Sequence, residues 1–160
     1  MTRVKGFTLI ELMVIIAILA ITASIAIPNF TKLIRNNQVQ AKADELSSLL
    51  QYARSEAVAK RTSVTVEAKP ADRQWVVTAS GTELRALDYN PTQADIKPNN
   101  NSLSFNPSGT ANRNVKIGIC RDDDKANGYM LEVMHSGATY LYPRGKQDTV
   151  GTNLASCTPS

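Results

Sequence analysis

The apolar positions of this 160-residue chain fall into three regimes. From Phe7 to Ile27 the chain is apolar on every side, with Glu11 its one charged residue. After Pro28 the pattern thins to a stripe: Phe30, Leu33 and Ile34, then Leu46, Leu49, Leu50, Ala53 and Ala57 at steps of three and four. Such spacing places one face of a helix against a core, and Lys42, Asp44, Glu45, Gln51, Arg54 and Lys60 fill the other face. The two regimes together predict one helix from Phe7 to about Arg61, roughly 80 Å long at about 1.5 Å per residue. Pro28 lacks a backbone N–H and is expected to kink or loosen it.

Past Arg61 the period changes to two. Thr62–Ala68 alternates, and Gln74–Ala79, Leu84–Tyr89, Leu103–Phe105, Val115–Cys120, Gly128–Met134 and Ala138–Tyr142 are short apolar runs between turn residues. Asn90–Ser102, with Pro91, Pro98 and three consecutive asparagines, reads as a loop. Short strands separated by turns predict antiparallel pairing. One helix followed by a run of strands predicts an α+β fold: a long N-terminal helix packed on an antiparallel β-sheet head. The expected organisation is a leader (1–6), a membrane or filament-core helix (7–28), an amphipathic helix (29–61) and a β-rich head (62–160). The polar tail after Arg144 would fray unless Cys157 ties it down.

The first regime is too long for the h-region of a secretory signal, about 7–15 residues. It suits a spanning helix, which needs roughly 20 apolar residues. Arg3 and Lys5 put its N-terminal flank in the cytoplasm. A plain single-pass anchor accounts for that much. It leaves Glu11 unexplained, because a carboxylate at a bilayer centre costs on the order of 3 kcal/mol.

Gly6-Phe7-Thr8-Leu9-Ile10-Glu11 resembles the class III signal of type IV pilins and type II secretion pseudopilins. The resemblance implies cleavage after Gly6 by a prepilin peptidase and N-methylation of the new terminus, Phe7. It implies that Glu11 meets the terminal amine of a neighbouring subunit as the helix leaves the inner membrane for a filament. Opposite charges attract far more strongly in apolar surroundings than in water, and a buried charge left alone is penalised. Gln51-Tyr-Ala-Arg-Ser-Glu-Ala57 and Leu103-Ser-Phe-Asn-Pro-Ser-Gly109 are similar to the GspH/FimT branch, closest to its FimU/FimT-type minor pilins. That implies the type IV pilin fold and a structural subunit of a type IV pilus. Its place would be near the tip, linking minor pilins to major subunits. The head would first face the periplasm and then the cell surface. A secretion pseudopilin of the H kind and a DNA-binding minor pilin for natural transformation are the alternatives.

Charge and candidate chemistry narrow these readings. Formal net charge is +4 and the pI about 9.2. From Thr62 to Ser160, ten Lys/Arg balance ten Asp/Glu, so the excess lies in the leader and helix. Bulk charge therefore gives a DNA-binding head little support. A local patch remains: Arg113, Lys116, Arg121, Arg144 and Lys146, with Tyr129, Tyr140 and Tyr142 interleaved to stack on bases. Some FimT-type relatives bind DNA through a Gly-Arg-x-Arg motif. The corresponding turn here, Ser136-Gly-Ala-Thr-Tyr140, lacks both arginines, and Pro143-Arg-Gly-Lys146 is basic in the reverse order.

Cys120 and Cys157 fall in the exported part, where disulfides persist. A bridge between them, as FimU/FimT-type pilins commonly carry near the C-terminus, competes with two free thiols. Two cysteines and one distant histidine, His135, do not make a zinc set. Asp122–Gly128 fails as a calcium loop: the sixth position is Asn127 and the twelfth Val133, where glycine and glutamate are needed. No nucleophile lies beside a base and an orienting group, so neither an enzyme nor a cofactor is expected.

Overall fold

A computed structural model describes residues 7–159. Gly6 and the rest of the leader, with the cleavage expected after Gly6, lie outside the described residues. The chain divides between Arg35 and Asn36 into two compact units. One helix, α1 (Leu9–Lys60), runs through both.

In the first unit every described residue before Arg35 is exposed. The helix continues through Pro28, so the lost hydrogen bond does not end it. Polar side chains in this stretch bond back to their own helix. Thr22 donates to the carbonyls of Ile18 and Leu19, Asn29 to Ile25, and Thr31 to Ile27. The hydroxyl donors of Thr22 and Thr31 therefore need no outside partner in apolar surroundings.

The second unit holds the core. Val39, Ala43, Leu46, Leu50, Ala53 and Ala57 form one buried stripe on α1. Its alanines let the backbone approach what it packs on. The helix stops in a Schellman arrangement: Thr62 N–H donates to Ala57 C=O at 3.2 Å and Arg61 N–H to Val58 C=O at 3.4 Å. Arg61 takes the left-handed position, φ 51°, usually held by glycine.

Eight strands follow: β1 (Val64–Lys69), β2 (Gln74–Ala79), β3 (Thr82–Asp88), β4 (Asp95–Pro98), β5 (Ser102–Phe105), β6 (Val115–Cys120), β7 (Tyr129–Val133) and β8 (Thr139–Leu141). They form two four-stranded sheets, β3-β2-β1-β5 and β4-β6-β7-β8, in which every pair is antiparallel. Inward residues of both sheets join the helix stripe in one buried cluster, among them Val64, Val66, Trp75, Val77, Phe105, Ile117, Ile119 and Leu131.

The Asn90–Ser102 segment is not all loop. Ile96 is buried and β4 pairs with β6, Ile96 opposite Ile119. Pro98 is tolerated because β4 is an edge strand. Asn99 prolongs the pairing, its N–H donating to Lys116 C=O at 2.9 Å and its Oδ1 accepting from Lys116 N–H at 3.0 Å. The tail is held too. Cys120 and Cys157 form a disulfide with Cα atoms 6.0 Å apart. Leu154 and Cys157 join Cys120, Met130 and Tyr142 in a second buried cluster. Gly118 lies under this segment, and a Cβ there would collide with the Cys157 carbonyl.

Candidate functional site

Glu11 sits in the first turn of α1 and is exposed. Its N–H donates to Thr8 Oγ1 at 3.3 Å, and its Oε2 accepts from Thr8 N–H at 3.5 Å. This reciprocal pair is a capping box, which satisfies two of the orphan N–H groups at a helix start. Within one chain, then, Glu11 has a local partner but no positive charge beside it among the described residues. Phe7, Leu9 and Ile10, around it, are 77, 78 and 69% exposed.

From there to Ile27 the helix offers apolar surface on every side, and beyond Pro28 it continues as a stripe of Phe30, Leu33 and Ile34. Its most apolar 18-residue window has mean hydropathy 2.6 and no residue buried, and it is long and apolar enough to cross a membrane. Burying one such Leu, Ile or Phe gains about 1.5–3 kcal/mol. The surface therefore requires lipid or other helices. Thr22, Ser24, Asn29 and Thr31 lie within two turns of Pro28, where the Ser24 carbonyl loses its usual donor.

The two head stretches singled out in the sequence meet in space. Arg54 Nε donates to Gly109 C=O at 2.9 Å and Nη2 to Ser136 C=O at 3.4 Å. One guanidinium thus ties the helix end to two turns 55 and 82 residues away in sequence.

The five basic residues proposed for nucleic acid stand on several elements. Arg113 is exposed on a turn, and Lys116 lies on β6. Arg121 Nη1 donates to Gln38 Oε1 at 2.8 Å. Arg144 and Lys146 do come together, around a pocket of about 480 Å³ with Lys125, which the sequence reading missed. Arg144 Nε donates to the Tyr129 hydroxyl at 3.2 Å and Lys146 Nζ to Asn153 Oδ1 at 2.8 Å. Tyr129 and Tyr142 are buried, so of the three interleaved tyrosines Tyr140 alone is free to stack on a base. Tyr142 donates to Glu132 Oε2 at 2.6 Å. Burial, and then this bond to Glu132, push its phenol up to about 12.

The Asp122–Asp124 carboxylates are each engaged within the protein. Asp123 accepts from Lys97 Nζ at 2.9 Å, Asp122 lies 3.8 Å from Arg121, and Asp124 Oδ1 caps the N–H of Ala126 at 3.1 Å. No group of three metal-ligating side chains occurs among the described residues. His135 is exposed on its turn.

Residues 42–138 match the family described as "Type II transport protein GspH", and residues 1–27 match the "Prokaryotic N-terminal methylation motif". A fimbrial protein of Moraxella nonliquefaciens is 32% identical over 143 residues, covering 87% of this chain and 91% of its own length. Among solved structures, the type IV minor pilin FimU of Pseudomonas aeruginosa superposes with a TM-score of 0.64 at 27% identity, over 78% of this chain and 98% of FimU. The minor pseudopilin EpsH of the Vibrio cholerae type 2 secretion system superposes with a TM-score of 0.54 at 13% identity, over 69% of this chain and 99% of EpsH. The likeness to EpsH is one of fold.

Proposed function

The chain belongs to the GspH family of type IV pilin-like proteins and is a pilus or pseudopilus subunit; from that premise we propose that it is a minor pilin of a type IV pilus. It is cut after Gly6 by prepilin peptidase, methylated at Phe7 and held in the inner membrane with its head in the periplasm. It then enters the filament near the tip, between other minor pilins and the major subunits. The observation that carries this reading is the wholly exposed apolar helix from Leu9 to Ile34 with one carboxylate, Glu11, at its start. Lipid satisfies the apolar surface but leaves Glu11 uncompensated. A bundle of like helices satisfies the surface and brings a neighbour's terminal amine to the carboxylate, which fixes register as well as attraction. Pro28, which leaves the Ser24 carbonyl without its usual donor, and the polar side chains around it mark the place where the helix loosens during that transfer. The disulfide and the likeness to FimU favour a pilus over a secretion filament.

The test is Glu11→Gln beside Glu11→Ala in the native cell, read as the amount of this chain in sheared filaments. Glutamine keeps a side-chain acceptor for the cap and removes the charge. Both variants should leave the head folded and reduce recovery at least tenfold. Normal recovery of Glu11→Gln would overturn the proposed pairing.

A second reading, a DNA-binding pilin, is favoured by one observation: Lys125, Arg144 and Lys146 surround one pocket lined by no carboxylate. It requires that the full chain in detergent shift duplex DNA with strong salt dependence. Arg144→Ala with Lys146→Ala would weaken that shift. Absence of any shift at low salt removes this reading.

A further inference from the structure

Strand β8 is the outer strand of its sheet, paired only with β7. The flanking bonds, Tyr142 N–H to Met130 C=O and Met134 N–H to Ala138 C=O, fix which of its groups face inward. In an antiparallel ladder the alternate residues point away. With Thr139 opposite Val133 and Leu141 opposite Leu131, the N–H and C=O groups of Thr139 and Leu141 point to the free edge. Beside β8 runs a groove of about 790 Å³ whose other wall is the last turns of α1. Its floor is closed where Gly137 crosses Gly109: a Cβ on Gly137 would strike the Gly109 carbonyl.

Two properties of the groove distinguish it from an ordinary edge. Large apolar side chains exposed in the second unit are few: Val58, Met134, Tyr140 and Val150. Val58 and Tyr140 line the groove, and Met134 begins the turn into β8. Arg54 is the one ionised residue lining it, and no carboxylate does. It donates to two backbone carbonyls. The nearby acids are engaged elsewhere: Glu56 with Lys60 at 2.6 Å, and Glu132 with the Tyr142 hydroxyl at 2.6 Å. A half-buried guanidinium without a counter-charge favours a carboxylate partner.

We propose that this groove takes an extended segment of another polypeptide, which adds a strand to β8 and sets a carboxylate side chain against Arg54. Backbone pairing with Thr139 and Leu141 gives the register, and Val58 and Tyr140 cover the apolar residues of the incoming strand. On the filament reading above, that polypeptide is a neighbouring subunit; the pairing itself is measured without a filament.

The probe is the capped peptide Thr-Val-Glu-Val-Glu-Val-Thr, with lysine replacing glutamate in its control. Amide hydrogen exchange is followed residue by residue in the full chain in detergent micelles. The acidic peptide should slow exchange at Thr139 and Leu141 at least tenfold, and the lysine peptide should not. Thr139→Pro removes an outward donor and no bond to β7, so it should abolish the protection at Leu141 and leave the melting midpoint nearly unchanged. Should that variant fail to fold, Val58→Glu on the exposed helix wall must abolish protection instead. Equal protection by both peptides, no protection, or protection that survives the substitution overturns the proposal. Slowing caused by raised protein concentration alone assigns the groove to a second copy and also overturns it. Glu11→Gln separates this result from the filament reading, because it alters incorporation and leaves peptide binding intact.

Discussion

One helix carries two opposite solutions to burial. Between Leu9 and Ile34 its apolar residues face solvent, Leu19 at 60% and Ile21 at 63% exposure. Between Val39 and Ala57 a single stripe is buried almost completely, with Leu46 and Leu50 at 0%. Both segments are continuous helix, so helix formation does not distinguish them. The distribution of polar residues does. The second segment concentrates its apolar side chains on one face and finds two sheets of its own chain there. The first has apolar residues all round, which no single sheet surface can cover. It is therefore built for surroundings the chain itself does not supply.

The sharpest way to break that contrast is one matched substitution in each segment. Leu50→Ala should cost the head about 2–5 kcal/mol, because it leaves a cavity in a core that relaxes little. Leu19→Ala, the same chemical change, should leave head stability unaltered in urea titrations of the chain in detergent. An equal loss from both would mean that the first segment also packs on the head. The next largest effect concerns how the head closes. The disulfide cross-links residues 37 apart and holds the tail over Gly118. Cys157→Ser should cost roughly 2–4 kcal/mol. Proteolysis should then begin beyond Arg144, with the helix and β1–β7 still protected.

A third effect, on the order of 2 kcal/mol, is visible only in alkali. The Tyr142 phenol is raised to about 12 by burial and by Glu132, whereas in the unfolded chain it titrates near 10. Its contribution is complete below about pH 10 and disappears as pH rises through about 12. Unfolding titrations of wild type should lose stability across that window more steeply than those of Tyr142→Phe. Parallel slopes would show that the phenol is not held by the fold.

What the sequence revealed follows the range of the interactions involved. The helix, its two regimes and most strands rest on local periodicity and were legible to within a few residues. β4 was not, because Pro91, Pro98 and Asn99–Asn101 give its segment the composition of a loop, and its pairing depends on Ile119, distant in sequence. The split into two sheets is likewise a matter of long-range pairing. The head surface was read least well. Alternation along a strand does not say which tyrosine points inward, and Tyr129 and Tyr142 proved to be interior. Lys125 enters the basic pocket only because the turn after β6 folds beside Arg144. Arg54 stands within a motif, yet its part in joining two remote turns emerges only in three dimensions.

The smallest effect bears on how the exposed half of the helix begins. Thr8-Leu-Ile-Glu11 has the threonine-to-glutamate spacing of a capping box, a local signal carried by the sequence itself. The box closes two hydrogen bonds at an end that no other described element covers. Thr8→Ala removes the hydroxyl acceptor and leaves Glu11 in place. It should loosen the first turn by about 1 kcal/mol, the usual cost of losing such a cap. Amide exchange at Glu11 and Leu12 should quicken about fivefold, corresponding to that energy. Exchange in the core strands and the urea midpoint of the head should not move. Because a frayed first turn also leaves Glu11 less fixed, Thr8→Ala should lower recovery in filaments, though less than Glu11→Gln does. Equal losses from the two substitutions would mean that an ordered first turn matters to incorporation as much as the charge does. A smaller loss from Thr8→Ala keeps the two uses of Glu11 apart: one within its own helix, the other toward a neighbour.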